Sequence, residues 1–297
     1  MVSSQKYPFD KRKIVFITAR VHAAEVTASF KAEGILSFLV SEESLAVCLR
    51  DLYIFKIVPI LNPEGVLAGN FRTSIVGTDL NRRWDKPDEI LHPQIYFLKN
   101  YMKLLISIGK EIFVYCDLHG HTRKNNAFIY GCNKAADGGF CSWTKVRLLP
   151  RILATKTPKF SYNDCGFRVE GDRLGTARVV VWKEFKVTNS FTFESSFFGY
   201  MRGDEITAYE VKDYYELGYS FLKALKEFNA VLRKLDKELI ETNGWLKPSR
   251  LITITGALAA DELAKKLAQS KKEENIKKRI MKVSDTVKKA KDTSIKK

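Results

Sequence analysis

Apolar residues follow two rhythms along this chain. Residues 13–18 (KIVFIT) form a short β-branched run, which predicts a buried strand. Residues 25–40 set Val26, Phe30, Ile35, Leu36 and Leu39 on one broad face and predict a helix. Residues 53–60 (YIFKIVPI) predict a second strand, stopped by Asn62-Pro63. A helix over 88–108 follows, then strands over 112–117 (IFVYCD) and 127–130. Two more strands are predicted over 178–182 and 190–193. A long helix is predicted over 207–241, with Tyr214, Leu217, Phe221, Leu225 and Phe228 as its core stripe. Strands alternating with helices predict an α/β fold, a three-layer α/β/α sandwich around a mostly parallel mixed sheet. In such sheets functional residues gather on loops at the carboxyl ends of strands.

The pattern changes at about residue 257. Beyond it the chain is Lys-rich, and Ile276, Ile280, Val283 and Val287 recur at helical spacing. Residues 1–256 therefore read as one domain and 257–297 as a basic tail. That tail is either a solvated, partly disordered helix or an amphipathic arm that docks on an acidic surface. The 45% hydrophobic content of the 297 residues excludes disorder of the whole chain. No uninterrupted apolar run approaches the ~18 residues of a spanning helix, and the polar first 13 residues hold no apolar signal-peptide core. Five cysteines, an odd number without a CxxC, fit free thiols in a reducing compartment and hence the cytoplasm. The net charge is +16, of which residues 261–297 carry +7 and the body +9. Such a charge suits an acidic partner. Nucleic acid meets that description, but no nucleic-acid module is recognisable.

Candidate chemistry sits at the predicted strand ends. His22-Ala23-Ala24-Glu25 directly follows the first strand, and Asp117-Leu118-His119-Gly120-His121 continues from the strand IFVYC. A histidine and a glutamate three apart in a strand–helix turn can face one metal, and a distant histidine can complete the set. Two histidines, a carboxylate and a water make a catalytic zinc shell with one open position. HxxE alone is a weak signal. Its surroundings add Asn62-Pro63-Glu64-Gly65, then Gly69-Asn70-Phe71-Arg72, Asp79-Leu80-Asn81-Arg82-Arg83-Trp84 and finally Phe191-Thr192-Phe193-Glu194.

Taken together, ITARVHAAE, NPEGVLAGNFR, DLNRRW, DLHGHTRKNN and FESSF resemble the zinc metallocarboxypeptidases of the carboxypeptidase A type. The similarity is greatest to their cytosolic branch, which removes glutamates from tubulin tails. The motifs keep the family order across residues 13–200. The resemblance implies one zinc ion per chain, held by His22, Glu25 and His119. It implies Glu194 as the general base that takes a proton from zinc-bound water and then protonates the leaving amine. Arg72 matches the arginine that steadies the oxyanion. Asn81 and Arg82 match the pair that grips the terminal carboxylate, a bidentate task suited to guanidinium. Asp117 reads either as a partner of a ligand or as the end of its strand.

The stretch GDRLGTAR (171–178) resembles the family's glycine–threonine–glycine–arginine stretch beside the specificity pocket. Arg178 is expected to contact the side-chain carboxylate of a departing glutamate, with Arg173 as the second candidate. Both also read as solvated loop arginines. The implied substrate is an acidic polypeptide such as a tubulin carboxyl tail, and the implied place of work is the cytoplasm, at microtubules or cilia. An alternative is a truncated relative that binds acidic tails without turnover; another is hydrolysis of small or neutral C-terminal residues.

Two departures stand out. Ala23-Ala24 replaces the usual proline and glycine; a positive φ at Ala24 would strain the turn by ~1 kcal/mol. Only 21 residues precede His22, fewer than in the family, so the sheet is expected to have an exposed edge. The family tyrosine that precedes the general base is not placed by sequence, although Tyr162 and Phe167 lie in that region.

Overall fold

The β-branched blocks become the interior of a five-stranded sheet in the computed structural model, which describes residues 1–4, 6–8, 12–133 and 139–241. Its strands are β1 (Lys13–Ala19), β2 (Tyr53–Val58), β3 (Ile112–His121), β4 (Ala127–Tyr130) and β5 (Ser190–Ser196). They lie in the order β2-β1-β3-β5-β4. All neighbours are parallel except the β4–β5 pair. Every residue of β5 is buried, as are the last six of β1. Burial on both faces is expected where helices cover both sides of a sheet; β1 meets it with an apolar run, whereas β5 (SFTFESS) buries mostly polar residues.

The helices are α1 (Val26–Leu39), α2 (Ser44–Leu52), α3 (Pro63–Leu67), α4 (Pro93–Ser107), α5 (Gly139–Ala154), α6 (Ala177–Phe185) and α7 (Val211–Glu241). On one side of the sheet Ile14 and Phe16 pack with Trp84, with Ile95, Met102 and Leu105 of the α4 layer, and with Val180 and Val181 of α6. In the other layer Phe193 meets Phe221, Phe113 meets Phe228, and Phe38 of α1 meets Tyr219 of α7. The expected α/β/α architecture holds. Among the described residues, no helix is long and apolar enough to cross a membrane.

Three of the expected elements differ in type or in their start from the sequence reading. Residues 178–182 form helix α6 and not a strand. The run Val179-Val180-Val181 is buried throughout, and a short buried apolar run has no period by which strand and helix can be told apart. The helix expected over 88–108 starts at Pro93, because Asp88 caps a separate turn by accepting from the N–H groups of Ile90 and Leu91. The helix expected from residue 207 starts at Val211, since β7 (Glu205–Ala208) pairs with β6 (Gly199–Arg202) in a two-stranded hairpin.

Strand β2 is the edge of the sheet. Val2 pairs with it in an antiparallel bridge, exchanging backbone hydrogen bonds with Phe55. The chain divides into Met1–Ala230, which holds the sheet, and Val231–Lys297, of which only the end of α7 is described. The boundary expected at 256 and the tail 257–297 lie outside the described residues.

Candidate metal centre and substrate cleft

The strand β1 ends at Ala19 and the chain turns sharply into α1. Arg20, at φ 59°, holds this turn: its Nε donates to the carbonyl of Ala23 and its Nη1 to Ser29 Oγ. Ala24 keeps a negative φ, so the strain considered for an alanine at that position does not arise. The turn brings His22 Nδ1 to 2.6 Å from Glu25 Oε1. The end of β3 delivers His119, whose Nδ1 lies 3.0 Å from Glu25 Oε2. One ligand atom from each of His22, Glu25 and His119 lies within 4.8 Å of the others. His119 sits inside β3, which runs on to His121, and not on the loop beyond it.

Both imidazoles are held from behind by carboxylates. Asp79 Oδ1 lies 3.2 Å from His22 Nε2, and Asp117 Oδ2 lies 2.7 Å from His119 Nε2. A carboxylate on Nε2 keeps the proton there and leaves Nδ1 to face the ligand site. Asp117 thus partners a candidate ligand as well as lying in its strand. Thr18 Oγ1 donates to Asp117 Oδ1 at 2.6 Å, and Tyr115 donates to Thr18 at 2.8 Å. Burial alone would raise the Glu25 carboxyl, but the charges and hydrogen bonds of His119 and His22 hold it well below its usual range. Burial would likewise lower His119; the charges of Asp117 and Glu25 outweigh it and raise it well above the ordinary imidazole value.

Glu194 stands beside His119 across the β3–β5 pairing. It is 9% exposed, and its Oε2 is buried without a hydrogen-bond partner. Burial pushes its carboxyl up to about 7, aided by the charge of Glu25 and opposed by His119, Lys31 and His22. His22, Glu25, His119 and Glu194 all open onto one cavity of about 620 Å³.

Arg72, Arg82, Arg123, Arg168, Arg173 and Arg178 line the same cavity. Arg72 Nε donates to Asp79 Oδ2 at 2.9 Å, which joins it to the partner of His22. Asn81 accepts from the N–H of Ala177 at 2.9 Å, fixing the first turn of α6 against the 79–84 loop. Arg82 donates to the Asn81 carbonyl and stays partly exposed. Arg178 is 6% exposed and donates to the carbonyl of Gly131 and to Cys132 Sγ. It belongs to a helix and not to a solvated loop. Arg173 lies in the Gly171–Arg173 turn, half exposed and paired with Asp172.

A model of the zinc carboxypeptidase family matches residues 3–209. The chain belongs to the zinc carboxypeptidase family. Cytosolic carboxypeptidase 1 of Xenopus laevis is 44% identical over 207 residues, covering 66% of this chain and 17% of that protein. Cytosolic carboxypeptidase 1 of Gallus gallus is 38% identical over 261 residues, covering 84% of this chain and 21% of that protein. The chain therefore spans about a fifth of the length of these curated relatives. A metallo-carboxypeptidase structure from Burkholderia cenocepacia shares the fold, with TM-score 0.67 and 24% identity across 77% of this chain and 60% of that one.

The donor set of this chain fits the metal that gives the family its name. Two imidazole nitrogens and a carboxylate, each already oriented by a further hydrogen bond, match a three-ligand zinc shell. The third orienting bond is the N–H of Gly120, which donates to Glu25 Oε2 at 2.9 Å. The structure brings all nine candidate residues to the walls of one cavity. Phe167 lines it too, whereas Tyr162 is not among the lining residues.

Sequence reading missed Asp79 as the partner of His22, Arg72 and Arg82, although it opens the DLNRRW motif. It also missed Lys31 and Thr18. A lysine on the buried face of a helix was the available signal for the first; nothing in the pattern distinguished the second.

Proposed function

We propose that this chain is a zinc-dependent carboxypeptidase that releases C-terminal glutamate from acidic protein tails, with tubulin tails as the leading candidate. The observation that carries the reading is one cavity in which a His–Glu–His set, a buried unpartnered carboxyl and six arginines converge. We assign His22, Glu25 and His119 as ligands of one zinc ion. When bound there, zinc would supply Lewis-acid chemistry: polarisation of a scissile carbonyl and a water made acidic near neutral pH.

This chain's own residues supply the rest. Glu194, in its ionised form, accepts a proton at a carboxylate oxygen and later returns it to the leaving amine. Arg72, fixed by Asp79, donates to the oxygen on which negative charge develops. Asn81 and Arg82 bind the terminal carboxylate. Arg178, with Arg173 nearer solvent, meets the side-chain carboxylate of the last residue. The surplus of arginines favours an acidic tail over a neutral one. The free thiols of Cys48, Cys116, Cys132 and Cys165 and the cytosolic relatives support a cytoplasmic place of work, at microtubules or cilia. Residues 1–256 serve as the catalytic domain in this reading.

The test is zinc content and glutamate release on one purified sample, beside Glu194→Gln. One zinc per chain with release abolished in the variant is the expected result. Zinc bound without release from any acidic peptide overturns the assignment of activity.

A further inference from the structure

Lys31 lies on the buried face of α1, with its side chain fully enclosed. Lysine is almost never found so deep unless it is paired. Its backbone is fixed from outside: a Cβ at Gly218 of α7 would meet the Lys31 carbonyl at 2.5 Å, so the two helices touch there. Its Nζ donates to the carbonyl of His119 at 2.8 Å and to the carbonyl of Phe193 at 2.8 Å. It also stands 4.6 Å from the centroid of the Phe193 ring.

Those two carbonyls belong to the two peptide units that govern the site. The His119 carbonyl shares its rigid plane with the N–H of Gly120. That N–H donates to Glu25 Oε2. The plane is therefore held at one end by Lys31 and at the other by a candidate zinc ligand, and it carries a second candidate ligand on its first residue. The Phe193 carbonyl belongs to the peptide unit that leads into Glu194, the register partner of His119. One ammonium thus ties the backbone carrying the ligands to the backbone carrying the base.

We propose that Lys31 is a positioning residue that sets the metal ligands and the general base at their working separation. This rests on the roles assigned above to His119, Glu25 and Glu194. An apolar residue at this position would take this donor from two buried carbonyls and remove the tie between them, leaving the His119 carbonyl with the Ser195 hydroxyl at 3.4 Å and both peptide units with their strand pairing. The effect reaches the zinc through His119 and Glu25 and the proton transfer through Glu194, while Lys31 itself touches neither substrate nor metal. Of the residues assigned to substrate binding, Asn81 is held by the Ala177 N–H and also lies 3.4 Å from His119 Nε2, Arg82 donates to the Asn81 carbonyl, and Arg178 is anchored to Gly131.

The test compares the full chain with Lys31→Met, which keeps an unbranched side chain one atom shorter and removes the charge and the donor, and Lys31→Gln, which keeps a neutral donor at the same shorter reach. Zinc affinity is read by competition with a chromogenic chelator. Separately, kcat and KM are read at saturating zinc with a glutamate-ended acidic peptide, and folding by circular dichroism and Tm. The expected result for Lys31→Met is a roughly tenfold to hundredfold weaker zinc affinity. A similar fall in kcat should accompany it, with KM within about twofold of the parent and Lys31→Gln in between. A merely structural lysine would lower Tm and leave zinc affinity and kcat untouched, and that result overturns the proposal. Failure of both variants to fold also overturns it, because Lys31 would then hold the sheet as a whole. If the parent chain releases no glutamate, the proposed activity falls, and the zinc affinities alone decide the role of Lys31.

Discussion

Glu194 is a carboxyl that must ionise in surroundings that disfavour charge. Burial pushes it up to about 7, so a fraction of it is protonated at neutral pH until a nearby cation draws the proton off. A general base works only when ionised, so activity should rise with pH through its pKa. We expect kcat/KM to show an acid limb at or below about 7 in a pH profile, with Glu194→Gln reducing kcat by ~100-fold to 10,000-fold while zinc content stays at one per chain. The same burial has a consequence for stability without metal. A carboxyl raised on folding binds its proton more tightly in the folded state than in the unfolded one. Its cost appears as pH rises from about 4.5 to about 7 and persists above. Metal-free Glu194→Gln should therefore resist urea better than the parent at pH 8 by up to ~3 kcal/mol, and should gain nothing at pH 4. Arg178 is the residue proposed above for specificity. Its guanidinium is already anchored to Gly131, so its orientation toward the cavity is fixed before substrate arrives. Arg178→Ala should lower the preference for C-terminal glutamate over alanine by ~10-fold to 100-fold, the worth of a charged hydrogen bond. An unchanged ratio in a competition assay would remove Arg178 from the specificity pocket.

At the scale of elements, the strands that carry the candidate site residues were legible because apolar, β-branched or aromatic blocks lead into them. His22 comes three residues after the end of β1, and His119 and Glu194 lie near the ends of β3 and β5, which run on to His121 and Ser196. The helices were less legible. Val179-Val180-Val181 belongs to α6, where burial on every side erases the helical period that an exposed face would have kept. Likewise α2 and α5 escaped notice, the latter carrying Pro150 inside it, a residue that argues against a helix interior. The misread α6 matters to the site, because its first turn is docked on the loop to which substrate binding is assigned above. Asn81 holds the Ala177 N–H, and the Trp84 N–H donates to the Gly175 carbonyl. A Cβ at Gly175 would stand 2.8 Å from the Arg82 carbonyl oxygen, a backbone atom that cannot step aside cheaply. Gly175→Ala should thus displace Arg82 and raise KM for acidic peptides several-fold. Zinc affinity should fall less than substrate binding when measured by chelator competition, because the candidate ligands lie on the β1–α1 turn and β3 and meet the 79–84 loop through Asp79 and Asn81.

The whole molecule carries +16, and six arginines line the cleft against three acidic residues there, Glu25, Glu170 and Glu194. Glu25 faces the two histidines and Glu194 lies at the floor of the site, so the mouth presents mainly positive charge to an incoming tail. Such a field steers an anionic chain and is screened over about 8 Å at physiological ionic strength. KM for a glutamate-rich peptide should therefore rise several-fold as salt increases from about 20 to 200 mM. The rise should be smaller for a peptide with an uncharged body and a single terminal glutamate, which brings only its two terminal carboxylates, and kcat should change little for either. The basic tail can be separated from this effect. Residues 261–297 carry +7 of the charge, yet the cleft arginines all belong to the body. Truncation after Gly256 should keep most of the salt dependence if the cleft is what the acidic tail meets. A slope that collapses in the truncated chain would instead make residues 257–297 the docking arm and reduce the cleft arginines to recognition of the final residue alone.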